Sequence, residues 1–339
     1  MRPYLPVGKP RPDLLKRLLE AIPQEDPRVV VGPKIGEDAA VIDLGDRYLI
    51  WTTDPITFAT DQIGWYGVQV NANDLAVRGA RPLWFTMVLL LPEGKATEAL
   101  VEGVFAQVVE ACRLIGATLV GGHTEVTAEL PRPIFIGGML GEVSKEALVT
   151  TSGAEVGDLV LLTKGIAIEG TAILAREREE ALRAMGVSRE LLERAKGFLR
   201  RPGISVLKEA LLAVDRAKVS SMHDPTEGGL SSGLYELAEA SGVGLRVFKD
   251  RIPILPESER LLRAFDLDPL GTIASGALLL TAKPEEAERL LHRYAQEGVL
   301  AMVIGEVVGR GYGVTMVEGT KEVPFPRFER DEIARLLEG

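Results

Sequence analysis

The stretch from Lys34 to Ala80 constrains the fold more than any other, because it places acidic side chains at breaks in secondary structure. Asp38 directly precedes a predicted strand, and Asp54 directly follows the next one, with Gly45-Asp46 predicted as the turn between them. Asp74 lies in the helix predicted to follow. Three carboxylates at such positions indicate a polar site and not a plain apolar core.

The helix predicted from Gln62 to Gly79 contains an unusual polar pair. Asn73 and Asp74 interrupt its apolar stripe, although Asn and Asp compete for backbone hydrogen bonds and are unfavourable inside helices. Asn71 and Asn73 are also the only asparagines in the sequence. These observations predict a paired or liganded polar site on this helix.

The composition argues against several classes of protein. The chain has 339 residues and a net charge of −10, whereas nucleic-acid binding needs a basic surface. The single cysteine, Cys112, rules out an intrachain disulfide and a cysteine-rich zinc site. No apolar run suits a membrane span or a signal peptide, so we expect a cytoplasmic protein. Scarce Asn and abundant Arg, Glu and Pro are typical of a thermophilic source.

The order of predicted elements favours an α+β fold. Strands and helices alternate, but several strands are rich in glycine and come in pairs, which argues against a doubly wound sheet. A polar segment at 144–157 separates two predicted domains, residues 1–145 and 146–339. The proline-rich residues 1–12 are predicted to form an extended arm that carries Lys9.

The acidic residues suit a metal-bridged phosphate site. The sequence lacks both the P-loop motif and the Gly-x-Gly-x-x-Gly motif, but Mg²⁺ binds one or two carboxylates together with substrate phosphates. Asp38, Asp54, Asp74 and Asp224 lie at turns or at a helix break in different predicted domains. They therefore predict a site in the cleft between the domains. A structural alternative stays open: Asp-Pro opens ordinary turns, and His123 could be structural.

Five segments taken together resemble one ATP-dependent superfamily. It contains aminoimidazole ribonucleotide (AIR) synthetase, the hydrogenase-maturation protein HypE, selenophosphate synthetase and thiamine-monophosphate kinase. The resemblance covers nearly the whole chain and is closest to the HypE-related, AIR synthase-related proteins. The matching segments are Gly36–Val41, Thr53-Asp54, Asn73–Pro82, Gly121–Thr124 and Asp224–Leu230.

The resemblance implies a homodimer and a bound nucleotide. The N-terminal domains would form a β-barrel across the homodimer, beside a C-terminal α+β domain, and ATP would lie between the domains with Mg²⁺ on its phosphates. The implied metal ligands are Asp38, Asp74 and Asp224. The implied nucleotide-contacting residues are Lys9, Ile35, Gly36, Glu37, Asp54, Asn73, Gly121, Gly122, His123 and Thr124. Of these, Gly121, Gly122 and His123 would reach ATP across the dimer.

The members of the superfamily differ in chemistry. HypE dehydrates a carbamoyl group carried on its own C-terminal cysteine, whereas the sequence here ends at Gly339 without a nearby cysteine. Selenophosphate synthetase normally has a reactive Cys or selenocysteine in its N-terminal arm, and this arm has neither. Thiamine-monophosphate kinase usually has Ser-Asp-Gly-Leu where this chain has His223-Asp224-Pro225-Thr226.

We therefore expect a Mg-ATP-dependent enzyme that activates an oxygen of a small molecule by phosphoryl transfer. The sequence identifies neither the acceptor nor a catalytic residue. The alternatives are a HypE-like hydrogenase-maturation or scaffold protein that binds nucleotide without turnover, and thiamine-monophosphate kinase itself. A maturation partner protein would then take the place of the small-molecule acceptor.

Overall fold

The computed structural model describes residue 5, residues 8–23 and residues 25–337. Two mixed sheets dominate the described chain, each with helices packed against it. The fold is α+β, as the order of elements predicted. The predicted arm, residues 1–12, lies partly outside the described residues.

The first half of the chain forms a six-stranded sheet. Neighbouring strands are antiparallel except for one parallel pair, β4 and β5, and the order is β1-β2-β3-β6-β4-β5. Its strands are β1 (Val29–Val31), β2 (Ala40–Asp43), β3 (Arg47–Ile56), β4 (Arg81–Pro92), β5 (Thr118–Thr127) and β6 (Ile134–Ser144). The helices of this half are α1 (Pro12–Glu20), α2 (Ile63–Ala76) and α3 (Glu98–Ile115).

Helix α2 is buried along its whole length, between the first sheet, α3 and the second half of the chain. It continues through Asn73 and Asp74 without a break, so the predicted interruption is wrong. Hydrogen bonds to neighbouring elements reach both polar side chains, and the tertiary packing of this buried helix outweighs their low helix propensity. Gly67 lets α2 approach β6, because a Cβ atom there would lie 2.1 Å from the Phe135 ring.

Helix α3 has the sequence signals that start and stop a helix. The Thr97 hydroxyl caps its first turn by accepting from the Leu100 amide at 3.2 Å. Gly116 ends it with a φ of +78°, a conformation that glycine adopts without strain.

The second half of the chain forms a seven-stranded sheet. All neighbouring strands are antiparallel except β9 and β12, and the order is β13-β12-β9-β11-β7-β10-β8. Its strands are β7 (Leu159–Thr163), β8 (Val219–His223), β9 (Gly244–Phe248), β10 (Leu279–Ala282), β11 (Ala301–Val308), β12 (Val314–Glu318) and β13 (Lys321–Pro324).

The helices of the second half cover this sheet and join it to the first half. An apolar core formed by α2, α3, α4, α6 and α9 connects the two halves. The helices are α4 (Ile168–Glu177), α5 (Glu179–Ala184), α6 (Arg189–Lys196), α7 (Leu207–Arg216), α8 (Gly229–Ser241), α9 (Pro256–Ala264), α10 (Pro284–Gln296) and α11 (Glu332–Leu337). None of the helices in the described ranges is both long and apolar enough to cross a membrane.

Two strands extend further than local sequence patterns indicate, and one of them changes a prediction. Asp54 lies inside β3 and not after it, because β3 stays paired with β6 as far as Ile56. The Gly121–Thr124 segment lies within β5, which stays paired with β4 as far as Thr127. In both cases the neighbouring strand supplies hydrogen bonds that a local sequence pattern does not reveal.

Candidate functional site

Two of the predicted acidic residues meet where the two sheets approach each other. Asp38 lies two residues before β2, and Asp224 follows the last residue of β8. One side-chain oxygen from each, with a ring nitrogen of His223, lies within 4.8 Å of the others. Folding thus brings together residues that are 186 positions apart in the sequence, and the sequence analysis placed both in one interdomain site.

Asp224 is the most unusual member of this group. Its side chain is 1% exposed, and neither carboxylate oxygen has a hydrogen-bond partner among the described residues. Burial, and then repulsion from Asp38, raises the pKa of Asp224 well above its usual value. A buried carboxylate that lacks a partner is unfavourable unless a cation or a proton neutralises it.

Asp74 and Asp54 extend the negative charge along α2 and β3. The Thr52 hydroxyl donates to Asp74 Oδ2 at 2.6 Å, but burial and the nearby Asp54 and Asp224 still raise the pKa of Asp74 well above its usual value. Burial also raises the pKa of Asp54. We call Asp38, Asp54, Asp74 and Asp224 the carboxylate cluster.

His223, which the sequence analysis did not assign to the site, connects the cluster to α8. Its Nδ1 atom lies 2.9 Å from Asp38 Oδ1, and its Nε2 atom lies 2.9 Å from Glu236 Oε2. Burial opposes the charged imidazolium, but Asp38 and Glu236 outweigh it and raise the pKa of His223 to about 10. A histidine directly before Asp224 was the only sequence signal for this contact.

Arg78 is a second cation that the sequence analysis did not assign to the site. Its guanidinium is fully buried and lies 2.9 Å from Glu37 Oε2 and 3.2 Å from Asp38 Oδ2. It also donates to the Thr151 hydroxyl at 3.1 Å. Glu37 accepts the backbone amides of Thr151 at 3.3 Å and Ser152 at 3.2 Å, so its carboxylate anchors the segment between the two sheets.

The remaining predicted residues near Asp38 lie against α8 and the Glu227 turn. Gly36 has a φ of +82°, and a Cβ atom there would lie 2.7 Å from the Glu236 carbonyl oxygen, so only glycine fits. The partly buried Ile35 directly precedes it. The Lys9 backbone amide donates to Glu227 Oε1 at 2.8 Å. Loss of hydration would lower the pKa of Lys9, but surrounding carboxylates, Glu236 foremost, outweigh it and raise that pKa.

The structure places the other predicted residues elsewhere. Asn73 donates to the Ile204 carbonyl at 2.9 Å and accepts from the Val206 amide at 2.8 Å, so its amide group joins α2 to the second half of the chain. Gly121, Gly122, His123 and Thr124 lie on β5, the exposed edge strand of the first sheet. Their predicted contact with a nucleotide across a dimer stays a prediction.

Asp331 supports the site from the far end of the chain. One of its carboxylate oxygens accepts from the Gly228 amide at 2.7 Å, and the other accepts from the Ile333 amide at 2.8 Å. Gly228 has a φ of +86° in the turn that follows Asp224. Burial raises the pKa of Asp331 to about 7. No local sequence pattern predicts this contact, because 103 residues separate its two partners.

These features define a class: a two-domain α+β protein with a buried carboxylate cluster where its two sheets meet. The chain belongs to the AIR synthase-related family. The family model for the N-terminal domain of AIR synthase-related proteins matches residues 36–143, and that for the C-terminal domain matches residues 155–318. The resemblance inferred from the sequence motifs is confirmed. The exact domain boundary at residues 145 and 146 stays a prediction.

Two proteins with similar sequences are named for hydrogenase formation or for HypE. A protein of Methanocaldococcus jannaschii named for hydrogenase expression and formation is 30% identical over 310 residues, which cover 87% of each chain. The carbamoyl dehydratase HypE of Rhizobium leguminosarum is 28% identical and aligns over 84% of this chain and 81% of its own.

Solved structures share the same fold. Escherichia coli HypE superposes with a TM-score of 0.73 at 23% identity, over 94% of this chain and 97% of its own. A ThiL protein complexed with AMPPCP and TMP gives a TM-score of 0.71 at 22% identity, over 94% of both chains. At this level of identity the similarity establishes the two-domain architecture.

Proposed function

We propose that this protein is a Mg-ATP-dependent enzyme that activates an oxygen of a small molecule by phosphoryl transfer. The observation that carries the proposal is Asp224, whose carboxylate is buried and has no hydrogen-bond partner in the described structure. It lies beside Asp38, and charge repulsion links both to Asp74. Oxygen ligands of this kind are those that Mg²⁺ prefers.

The chain's own residues would hold the metal and the nucleotide. Asp38, Asp74 and Asp224 would bind Mg²⁺, which neutralises phosphate charge when bound. Arg78 and His223 hold Asp38 in place. We propose that the nucleotide contacts five further residues of the N-terminal half, namely Lys9, Ile35, Gly36, Glu37 and Asp54. Asn73 would act by fixing α2 against the second domain, and Gly121, Gly122, His123 and Thr124 would complete the site in a partner subunit.

A protein of similar fold binds a nucleotide, which supports this proposal. The ThiL structure contains AMPPCP, a non-hydrolysable analogue of ATP. The one cysteine of the sequence, Cys112, does not provide an accessible carrier group. It is 3% exposed in α3, and burial raises the pKa of its thiol to about 11. This argues for a diffusible acceptor over a substrate carried on that thiol.

Isothermal titration with AMPPCP, with and without Mg²⁺, tests the nucleotide site. We expect Mg²⁺-dependent binding that weakens at least tenfold in Asp224→Asn, because the substitution removes the charge that would bind the metal. The matched control is Asp250→Asn, which changes an exposed aspartate and should leave binding unchanged. Equal affinity with and without Mg²⁺, or unchanged affinity in Asp224→Asn, would contradict the proposed metal site.

A second candidate is a hydrogenase-maturation or scaffold protein that binds nucleotide without turnover. It is favoured by the names of the relatives, and by a solved HypE–HypF complex that shares the fold at a TM-score of 0.71. Tight AMPPCP binding, with no ADP formed from ATP across a broad acceptor screen, would favour this candidate and a protein partner. Thiamine monophosphate belongs in the same screen, because a ThiL protein shares the fold.

We also propose a cytoplasmic homodimer, with β5 at the subunit interface. Val120 and Val126 on this edge strand are 54% and 56% exposed, and an uncovered apolar edge strand favours association. Light scattering during size-exclusion chromatography measures the mass of the particle. A mass close to that of one 36.7 kDa chain would contradict the dimer.

A further inference from the structure

Four buried polar side chains lie between α2, the start of α4 and the segment before β10. They are Tyr66, Gln69, Glu169 and Ser275, and none is more than 4% exposed. Each has a side-chain oxygen without a hydrogen-bond partner among the described residues: Tyr66 Oη, Gln69 Oε1, Glu169 Oε2 and Ser275 Oγ. We call these four residues the interhelix polar cluster.

The four side chains belong to one locality. Among nearby charges, Glu169 contributes most to the raised pKa of Tyr66, after burial itself. Ser275 is close enough to Glu169 to oppose the effect of burial on its pKa. Gln69 follows Tyr66 by three residues and therefore lies on the same side of α2. A Cβ atom on Gly276 would lie 3.3 Å from Ile168 Cδ1, which places the Ser275 segment against the start of α4.

This cluster borders the carboxylate cluster but is not part of it. The Ala274 amide, next to Ser275, donates to the Thr226 carbonyl oxygen, next to Glu227, at 3.3 Å. Burial raises the pKa of Glu169 to about 7, and the charges of Asp54 and Glu227 contribute to that shift. Asp54 belongs to the carboxylate cluster, and Glu227 lies three residues after Asp224. A molecule held by Glu169 would therefore lie beside the proposed metal and nucleotide.

The free atoms favour one kind of ligand. Glu169 Oε2 and Gln69 Oε1 accept hydrogen bonds, and the Tyr66 and Ser275 hydroxyls can accept as well as donate. Arg176 is the cation that contributes most to the pKa of Tyr66, and it is paired with Asp61 and with the Lys196 carbonyl oxygen. Its buried Nε atom has no partner among the described residues, but the acceptor oxygens of the cluster outnumber this one donor. Such a set repels an anion and suits a group that presents N–H or O–H donors.

We propose that the interhelix polar cluster is the acceptor subsite, and that it binds a small uncharged or cationic molecule through N–H or O–H donors. Carboxamides, alcohols and amino alcohols belong to this class, whereas carboxylates and phosphates do not. The proposal rests on the proposed function, because it treats the ligand as the second substrate. Glu169 contacts that ligand and does not contact the metal.

Saturation-transfer NMR with small probes tests the subsite. The probes are acetamide and ethanolamine, with acetate and inorganic phosphate as anionic counterparts, added to protein saturated with Mg²⁺ and AMPPCP. We expect saturation transfer to acetamide and ethanolamine only. Glu169→Gln should weaken ethanolamine at least tenfold, and Ser275→Ala should weaken acetamide severalfold. The matched control is Glu180→Gln, an exposed glutamate on α5 that should leave both probes unchanged.

Titration of the same variants with AMPPCP separates the two proposals. Loss of probe binding in Glu169→Gln with unchanged nucleotide affinity supports the subsite. Failure of the wild-type protein to bind AMPPCP would overturn the proposed function, and the probes would then be tested without nucleotide. Equal binding of anionic and neutral probes, unchanged binding in Glu169→Gln, or binding of nucleotide but of no probe would each overturn the subsite.

Discussion

The Nδ1 atom of His223 lies 2.9 Å from Asp38 Oδ1, and this contact joins the last residue of β8 in one sheet to a residue two positions before β2 in the other. The opposite ring nitrogen contacts Glu236 on α8 at 2.9 Å. One buried imidazolium thus pairs with two carboxylates and fixes the orientation of a proposed metal ligand. Groups behind a metal ligand commonly tune metal affinity in this way.

The first prediction concerns this histidine. Replacing His223 with Gln removes a buried positive charge between Asp38 and Glu236 and should lower the free energy of unfolding by about 3 kcal/mol near pH 6. Urea denaturation followed by circular dichroism measures the change. His292→Gln, at an exposed histidine, is the control and should change the free energy by less than about 0.5 kcal/mol.

The pH dependence of this effect has a defined sign. The pKa of His223 is about 10 in the folded protein, against an ordinary value of 6.5. Its stabilising contribution is therefore complete below about pH 6.5 and is lost as the pH rises through 10. The difference between wild type and His223→Gln should shrink over that interval, and a constant difference from pH 6 to 10 would refute the charged imidazole.

A second prediction concerns the two halves of the chain. Asn73→Ala removes an amide that bonds the Ile204 carbonyl and the Val206 amide, and it leaves two backbone groups without a partner. We expect a loss of about 2–4 kcal/mol in the free energy of unfolding. Gln296→Ala, at an exposed amide on α10, is the control. A loss no larger than that of the control would show that water replaces the bridge.

A third prediction concerns a raised pKa that lowers stability at high pH. Burial raises the pKa of Glu169 from 4.5 to about 7, so this carboxyl ionises more readily in the unfolded chain. Its effect on stability is absent below pH 4.5 and grows unfavourable between pH 4.5 and 7, to about 3 kcal/mol at most. Glu169→Gln does not titrate and should be more stable than wild type above pH 7.

Thermal unfolding at pH 4.5, 6 and 8 checks this prediction. The melting temperature of Glu169→Gln should exceed that of wild type most clearly at pH 8, and the gap should narrow at pH 4.5. Glu180→Gln serves again as the exposed control. A gap that does not change with pH would mean that Glu169 ionises normally in the folded protein.

A fourth prediction compares two helical glycines. Gly67→Ala on α2 would place a methyl group 2.1 Å from the Phe135 ring, and the resulting overpacking should destabilise the protein by about 1–3 kcal/mol. Gly103→Ala on α3 meets nothing within 4 Å and should stabilise it by as much as about 1 kcal/mol. Denaturation midpoints of the two variants should therefore shift in opposite directions, and shifts of the same sign would contradict the packing of α2 on β6.

The sequence by itself determined the residue types and their order along the chain. The α+β class followed from paired, glycine-rich strands, and the family followed from motifs such as Gly36–Val41 and Asp224–Leu230. Asp38 and Asp224 were placed in one site because both lie beside strand ends in different halves. The limits of β3 and β5 were not determined, because pairing with β6 and β4 extends these strands beyond their local patterns.

Only the tertiary structure decided which groups neutralise the buried charge. Three buried contacts join residues that lie far apart along the chain: Arg78 with Glu37, His223 with Asp38, and Asp331 with Gly228. Asn73 pairs with backbone 131 and 133 residues away. Side-chain electrostatics and hydrogen bonding act over a few ångströms in space. The spacing of residues in the sequence therefore does not predict such partners. The interhelix polar cluster escaped the sequence analysis because burial gives Glu169 its unusual character.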